Sequence, residues 1–233
     1  MISKPAAVFL ERHTMDTSVL LKMPLFKGFS EKEISNALSF LAARKQNFKK
    51  GSIILSAGTT PDVIGIVIYG SITILSDDIW GNRAILSNVR KGGLFAEAYA
   101  ILEDEPLLVD VMANEDCTIL FLNIQKTLSP SKSPESWNYK FMQNLLMISS
   151  RKNLLLSGRS FHTAPKTIRG RVMSYLNAMS LQKGAKEFDI PFDRQQLADY
   201  LNLERSALSK ELGKMQKEGI INTRKNHFKL LTP

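Results

Sequence analysis

Cysteine is almost absent. Cys117 is the single thiol in 233 residues, which excludes an intrachain disulfide and any cluster held by several protein thiolates. It stands at the head of the strand-like run TILFL, where a buried, inert thiol is expected. Histidine is nearly as scarce: His13, His162 and His227 lie far apart in sequence, and no metal site is expected. No apolar run approaches the ~20 residues needed to span a bilayer, and Met1 to Leu10 has too short an apolar stretch for a signal peptide. The expectation is a cytoplasmic protein without membrane contact. A phosphate loop such as GxxxxGKS is also missing, as is any nucleophile, base and acid set, so neither an enzyme nor a cofactor is expected.

What is present is an uneven distribution of charge. The net charge of +9 arises almost entirely from residues 136–233, with 17 Lys+Arg against 7 Asp+Glu, while residues 1–135 are nearly neutral. Such a split indicates that one half meets a polyanion and the other does not. At this length, with 44% hydrophobic and 23% charged residues, two compact domains are the default.

The basic half contains DRQQLADYLNLERSALSKELGKMQKEGII, residues 193–221. Asp193 can cap a first helix, with Gln196 three residues on completing a capping box. Leu197, Leu201, Leu208, Leu212 and Met215 form an apolar seam for packing two helices together. Asn202 stands where the chain must turn, and Asn tolerates a left-handed backbone. A second helix starting near Glu204 or Arg205 would present Arg205, Ser206, Ser209 and Lys210 outward. Arg can fork onto guanine, and Ser or Lys can reach bases and phosphates, so these types suit a major groove. Alone, the segment is also compatible with an ordinary helical hairpin that has a solvated basic face. The residues after Gly219 favour the DNA reading: Ile220 to Leu231 reads as two short strands around Lys225 and Asn226, with Arg224, Lys225, Asn226 and His227 at the tip of a wing.

In the other half, residues 14–42 have helical periodicity with a cap at Ser30 and a stripe of Ile34, Leu38 and Leu41. Short Ile/Val/Leu-rich runs follow at 53–55, 64–69, 71–75, 84–89, 109–113 and 118–122, punctuated by glycines. They predict an antiparallel sandwich or roll. The segment 128–136, LSPSKSPES, reads as a loop. A long helix is predicted from Ser136 to about Arg159, with Phe141, Leu145, Ile148 and Leu155 near heptad spacing and Lys152 interrupting. That spacing predicts a homodimer through this helix, although the same face could pack on the chain's own roll. Ala164 to Thr167, with Pro165, forms a joint and candidate hinge before a helix over 168–181. The expected domains are a sensor roll with N-terminal helices over 1–135, a dimer helix and joint over 136–163, and a DNA head over 164–233.

GSITIL at 70–75, GGLFAEAYAIL at 92–102, IRGRVMSYL at 168–176 and the head at 192–221 together resemble the CRP/FNR family of bacterial transcription regulators, and most closely its members without an assigned effector. The resemblance implies an α+β fold: an N-terminal antiparallel β-roll of the cyclic-nucleotide-binding, jelly-roll type, a long dimerisation helix and a C-terminal winged helix-turn-helix. It implies that Arg194, with Gln195 beside it, meets the DNA backbone, that Arg205, Ser206 and Lys210 read bases, and that Ser209, Arg224 and Lys225 add contacts. Double-stranded DNA with a palindromic site and RNA polymerase would be the macromolecular partners. In the family's cyclic-AMP branch a roll Glu binds ribose and an Arg-Ser pair grips the phosphate. Glu97 matches the Glu, but Leu107 and Leu108 stand where the pair belongs, and Leu156, beside Ser157, replaces a Thr that bonds adenine. A buried phosphodiester without cation or donors is strongly disfavoured. The oxygen-sensing branch needs an N-terminal cysteine cluster, and the haem branch a roll histidine; neither is present. The remaining expectation is an unknown small-molecule effector, such as an aromatic or aliphatic acid, near Glu97, Tyr99, Leu107, Leu108, Leu156 and Ser157. A cyclic-nucleotide-responsive module and a DNA-binding protein whose roll is filled by its own side chains remain the alternatives.

Overall fold

The computed structural model describes residues 17–77, 83–102, 104–128 and 136–231. His13, the first ten residues and most of the 128–136 loop lie outside them. Contacts divide the chain into two compact units, Met1–Ser149 and Ser150–Pro233.

The first unit opens with α1 (Thr17–Leu21), a 3-10 turn (Pro24–Phe26) and α2 (Glu31–Phe40). The helical periodicity of 14–42 is thus broken by Pro24 and by Gly28, whose φ is +80°. The expected cap at Ser30 forms a full capping box: the Glu33 N–H donates to Ser30 Oγ, and the Ser30 N–H donates to Glu33 Oε2 at 2.8 Å. Eight strands follow: β1 (Arg44–Phe48), β2 (Ile53–Leu55), β3 (Val63–Tyr69), β4 (Ser71–Asp77), β5 (Arg83–Arg90), β6 (Leu94–Phe95), β7 (Asp110–Ala113) and β8 (Cys117–Asn123), with α3 (Glu97–Leu102) between β6 and β7. They form two antiparallel four-stranded sheets, ordered β1-β8-β3-β6 and β2-β7-β4-β5.

Alternation explains why β3 and β8 read as unbroken apolar runs. Val63 and Val67, with Ile119 and Phe121 of β8, face a core shared with Ile72, Val111 and Ala113 of the other sheet. Ile64, Ile66, Leu120 and Leu122 point the other way, into a second core built with the helices. A strand covered on both faces needs no polar alternation. Cys117 is buried in the first core, as expected. Between the sheets, Phe121 meets Phe48 and Phe95 edge-to-face, with ring centroids 6.3 and 6.4 Å away. Phe95 lies against its register partner Gly65, where any Cβ would run into the ring. Gly70 supplies the positive φ, +78°, of the turn between β3 and β4.

After α4 (Gln125–Leu128), the long helix α5 runs from Ser136 to Thr163. Trp137, Phe141 and Leu145 are buried in the helix-side core, and Ile148 is half-buried against it. Each fully buried side chain of this size stabilises by roughly 1.5–3 kcal/mol. Asn144 on the same face donates from Nδ2 to Leu25 O and Lys27 O, both at 2.9 Å. The heptad reading is therefore corrected for this half of the helix. Phe141, Leu145 and Ile148 serve the chain's own roll, Lys152 is half-buried, and Leu155 alone of the five is exposed. Spacing reports that a face is apolar, not which neighbour it meets. The exposed apolar residues on the opposite face are Tyr139, Leu146, Met147, Leu154 and Phe161.

The second unit continues α5 into α6 (Ile168–Lys183), β9 (Glu187–Asp189), α7 (Arg194–Tyr200), α8 (Arg205–Lys217), β10 (Ile221–Arg224) and β11 (His227–Leu230). The strands form one antiparallel sheet, β10-β11-β9. Val172, Tyr175 and Leu176 of α6 bury against Leu197, Leu208, Leu212, Met215 and Phe228. Replacing Gly65 by Ala should destabilise the first unit by about 1–3 kcal/mol through overpacking against Phe95. Denaturant unfolding measures it, and unchanged stability would mean that Phe95 moves freely.

Candidate nucleic-acid interface

The helix-turn-helix follows from a few local choices. The Gln196 N–H donates to Asp193 Oδ1 at 2.8 Å, and the Asp193 N–H donates to Gln196 Oε1 at 2.9 Å, completing the predicted capping box of α7. Asn202 takes φ +54° at the turn, and the Leu203 N–H donates back to Ala198 O at 2.9 Å. The seam of Leu197, Leu201, Leu208, Leu212 and Met215 is buried in full. Arg205, Ser206, Ser209 and Lys210 are consequently left exposed on the outer face of α8, with Gly213 and Lys217 continuing that face at helical spacing. On the reverse side Arg169 of α6 binds Glu211 at 2.7 Å and forks onto both oxygens of Glu218 at 2.7 and 3.0 Å. Glu211 and Glu218 are thus engaged away from the basic face of α8.

Beside α8 a concave surface is lined by Phe192, Arg194, Gln195, Arg205, Lys225 and Asn226, among others. Arg194 is half-buried: its guanidinium lies 5.0 Å from the Phe228 ring centroid and donates to Thr223 Oγ1 at 2.8 Å. Burial lowers its pKa from the ordinary arginine value. Gln195 is exposed and donates from Nε2 to Asp199 Oδ1 at 2.8 Å. Lys225 sits at the wing tip with φ +56°, next to exposed Arg224. Four residues expected at DNA, Arg194, Gln195, Arg205 and Lys225, therefore share one concavity, and the other four flank it on α8 and the wing. Asn226 joins the lining without having been singled out as a contact, since an Asn in a turn is first read as turn chemistry.

His227 does not stand free at the tip. Its Nδ1 lies 2.8 Å from Asp189 Oδ1 and its Nε2 3.1 Å from Glu187 Oε1, while Lys229 Nζ binds the other Glu187 oxygen at 2.8 Å. Two carboxylates are acceptors only, so this pair of contacts favours the imidazolium, in which both ring nitrogens donate. The hydrogen bond to Asp189 first, then that to Glu187, raises the His227 pKa above 6.5. His162 is the opposite case: enclosed by Tyr175 and Tyr200, it is held below 6.5 by burial.

The residues expected at an effector fall in both units. Glu97 is buried at the start of α3, and Tyr99 is half-buried two residues on. Leu107 is buried and Leu108 is 75% exposed, so the two leucines do not line one pocket together. The Leu107 N–H donates to Thr59 O and its carbonyl accepts from Gly58, which leaves its neighbour turned to solvent. Leu156 and Ser157 lie on α5, in the second unit, Leu156 exposed to solvent. Among the described residues no group of three His, Cys, Asp or Glu could hold a metal ion, and no helix is long and apolar enough to cross a membrane.

The opposed histidine shifts carry a sign. The His227 contribution to stability is present in full below pH 6.5 and is lost as pH rises through its raised folded value, whereas that of His162 is present above 6.5 and is lost as pH falls through its lowered one. Imidazole titration by NMR should place His227 above and His162 below the ordinary value, and His227→Gln should remove the alkaline loss. The reverse order of the two would contradict the carboxylate pairing.

Comparison with known proteins agrees with this architecture. The family model for the cyclic nucleotide-binding domain matches residues 45–129, and that for the Crp-like helix-turn-helix domain matches residues 170–233. Among solved structures, CprK complexed with OCPA is similar with a TM-score of 0.55 at 13% identity, over 86% of this chain and 89% of that one. The catabolite activator protein of Thermus thermophilus gives 0.48 at 20% identity, over 89% and 93%. DNR from Pseudomonas aeruginosa gives 0.48 at 19% identity, over 95% and 96%. None of the curated protein sequences matches. With the two domain families matched in this order over more than half of its length, the chain belongs to the CRP/FNR family, as a DNA-binding transcription regulator and not an enzyme.

Proposed function

We propose that the protein acts as a homodimer on a two-fold symmetric operator, with α8 of each head in a major groove and half-sites about one helical turn apart. The observation that carries this reading is the exposed row Arg205, Ser206, Ser209 and Lys210 beside the concavity of Arg194, Gln195 and Lys225. Arg205 and Lys210 offer donors to base edges, and Arg224 and Lys225 offer charge to phosphates. Dimerisation is supported by the outward apolar face of α5, where Tyr139, Leu146, Leu154 and Phe161 recur at spacings of seven or eight residues. Pairing two such helices covers side chains that would otherwise stay in water.

The effector we infer is a small molecule other than a cyclic nucleotide, since the side chains of Leu107 and Leu108, where the resemblance places an Arg-Ser phosphate clamp, offer neither charge nor donors. It would act as any effector must, by binding one arrangement of the dimer better than another. The interlocked Phe48, Phe95 and Phe121 inside the roll favour a second reading, in which DNA binding needs no effector.

Selection of bound DNA from a random pool, with and without cell metabolites, separates these readings. A palindrome enriched only with metabolites supports an effector, the same palindrome under both conditions supports the second reading, and an asymmetric single half-site overturns the dimer. On the selected operator Arg205→Ala should weaken binding by about 1–3 kcal/mol and relax base preference, while Lys225→Ala should mainly lower the salt slope. Leu146→Asp with Leu154→Asp should give a monomer in sedimentation, and a dimer that survives would refute that face.

A further inference from the structure

The last carbonyls of a helix have no partner within it, and α7, only seven residues long, has an unusual solution. Arg159, near the end of α5, donates from Nη2 to Asp199 O and from Nε to Tyr200 O, both at 3.1 Å. Arg171, in the first turn of α6, donates from Nη1 to Leu201 O at 3.2 Å and to Asn202 O at 3.0 Å. Four consecutive carbonyls are taken by two guanidinium groups from two other helices. Cations at a helix C-terminus are also favoured by its dipole.

The same groups tie the elbow between α5 and α6. Arg171 Nε donates to Pro165 O at 2.9 Å, Thr167 caps α6 through the Gly170 N–H at 3.0 Å, and His162 Nδ1 lies 3.0 Å from the Tyr200 hydroxyl. His162, Tyr175, Phe192 and Tyr200 stack into one aromatic group with centroids 4.9–5.9 Å apart. Residues 150–163 of α5 accordingly belong to the compact unit of the head. The joint at Ala164–Thr167, where Pro165 leads the sequence to expect a hinge, is thus bonded on both sides.

None of these bonds joins α7 to α8, whose seam is apolar, and none lies on the exposed row of α8. What they determine is the direction in which the helix-turn-helix leaves the long helix. We propose that Arg159 is a positioning residue for operator recognition: by holding the α7 carbonyls it makes the end of α5 and the reading helix one body, so that the spacing of the two heads is set by the helix and not by the loop. This rests on the dimer reading above. The Arg159 side chain is only part-buried, so water can satisfy the carbonyls when it is removed, and Arg171 with the aromatic group remains to hold the fold.

The test uses the full chain and fluorescence anisotropy on three kinds of duplex: one half-site, the paired operator, and paired operators lengthened or shortened by one and two base pairs. Each added base pair rotates a half-site by roughly 35°, so wild type should lose about tenfold or more in affinity off the optimal spacing. Arg159→Ala should bind the single half-site within about twofold of wild type, bind the paired operator about tenfold more weakly, and lose most of its spacing preference. Arg159→Lys, able to keep one of the two bonds, should fall between and carries the same comparison if the alanine chain melts early. An undiminished spacing preference in both variants overturns the proposal, as does an equal loss on single and paired sites, which would make the clamp a support of the head's fold alone. A wild type that binds one half-site as tightly as two overturns the dimer reading, and the positioning role with it.

Discussion

The structure depends on how one helix satisfies two neighbours. A helix of 28 residues is stable in water only where its apolar face is covered, and α5 divides that task. Its first half sinks Trp137, Phe141 and Leu145 into the core outside the roll and caps the 3-10 turn with Asn144. Its second half holds almost no apolar core of its own kind, and instead supplies Arg159 and His162 to the backbone and aromatic rings of the head. Two chemistries thus hold the two stretches of this helix, hydrophobic burial in the first unit and charge-assisted hydrogen bonding in the second.

That division matters for what the head can do. A helix-turn-helix of seven and thirteen residues has a small core, and its apolar seam is fully used in joining its own two helices to α6. The recognition face must stay free of apolar contacts if it is to be solvated until DNA arrives. Orientation therefore has to come from the far side, where polar pairs join the aromatic group of His162, Tyr175, Phe192 and Tyr200. Arg169 with Glu211 and Glu218, and Arg159 and Arg171 with the carbonyls at the turn, are those pairs. The basic surplus of this half serves two ends: part of it, Arg205, Lys210, Arg224 and Lys225, is left for a polyanion, and part is consumed inside the fold.

Much of this was legible residue by residue. The capping boxes at Ser30 and Asp193, the left-handed Asn202, the seam of leucines and the wing turn at Lys225 are local, and local physics decides them. Six strands of the roll were visible as apolar runs. Strands β1, β6 and β9 were not, since RKQNF, LF and EFD are too polar or too short to have a period, and they exist because a neighbouring edge offers them hydrogen bonds. Among the proposed contacts, the exposed basic residues of α8 could be read from periodicity. The half-burial of Arg194 on Phe228 could not, because it depends on a wing strand far along the chain.

By itself the sequence determined the class of the molecule: a nearly neutral sheet-rich half, a long helix, and a basic head with its reading face marked by Arg205, Ser206, Ser209 and Lys210. Those features are written in side-chain type and spacing, which local rules translate. Only the tertiary structure decided which face of α5 is buried, which of Leu107 and Leu108 turns inward, and what holds the elbow at Pro165. Apolar spacing is blind to the neighbour it will meet, and every residue offers the same carbonyl oxygen. The acceptors that Arg159 and Arg171 find at the end of α7 leave no mark in the sequence until the chain has folded.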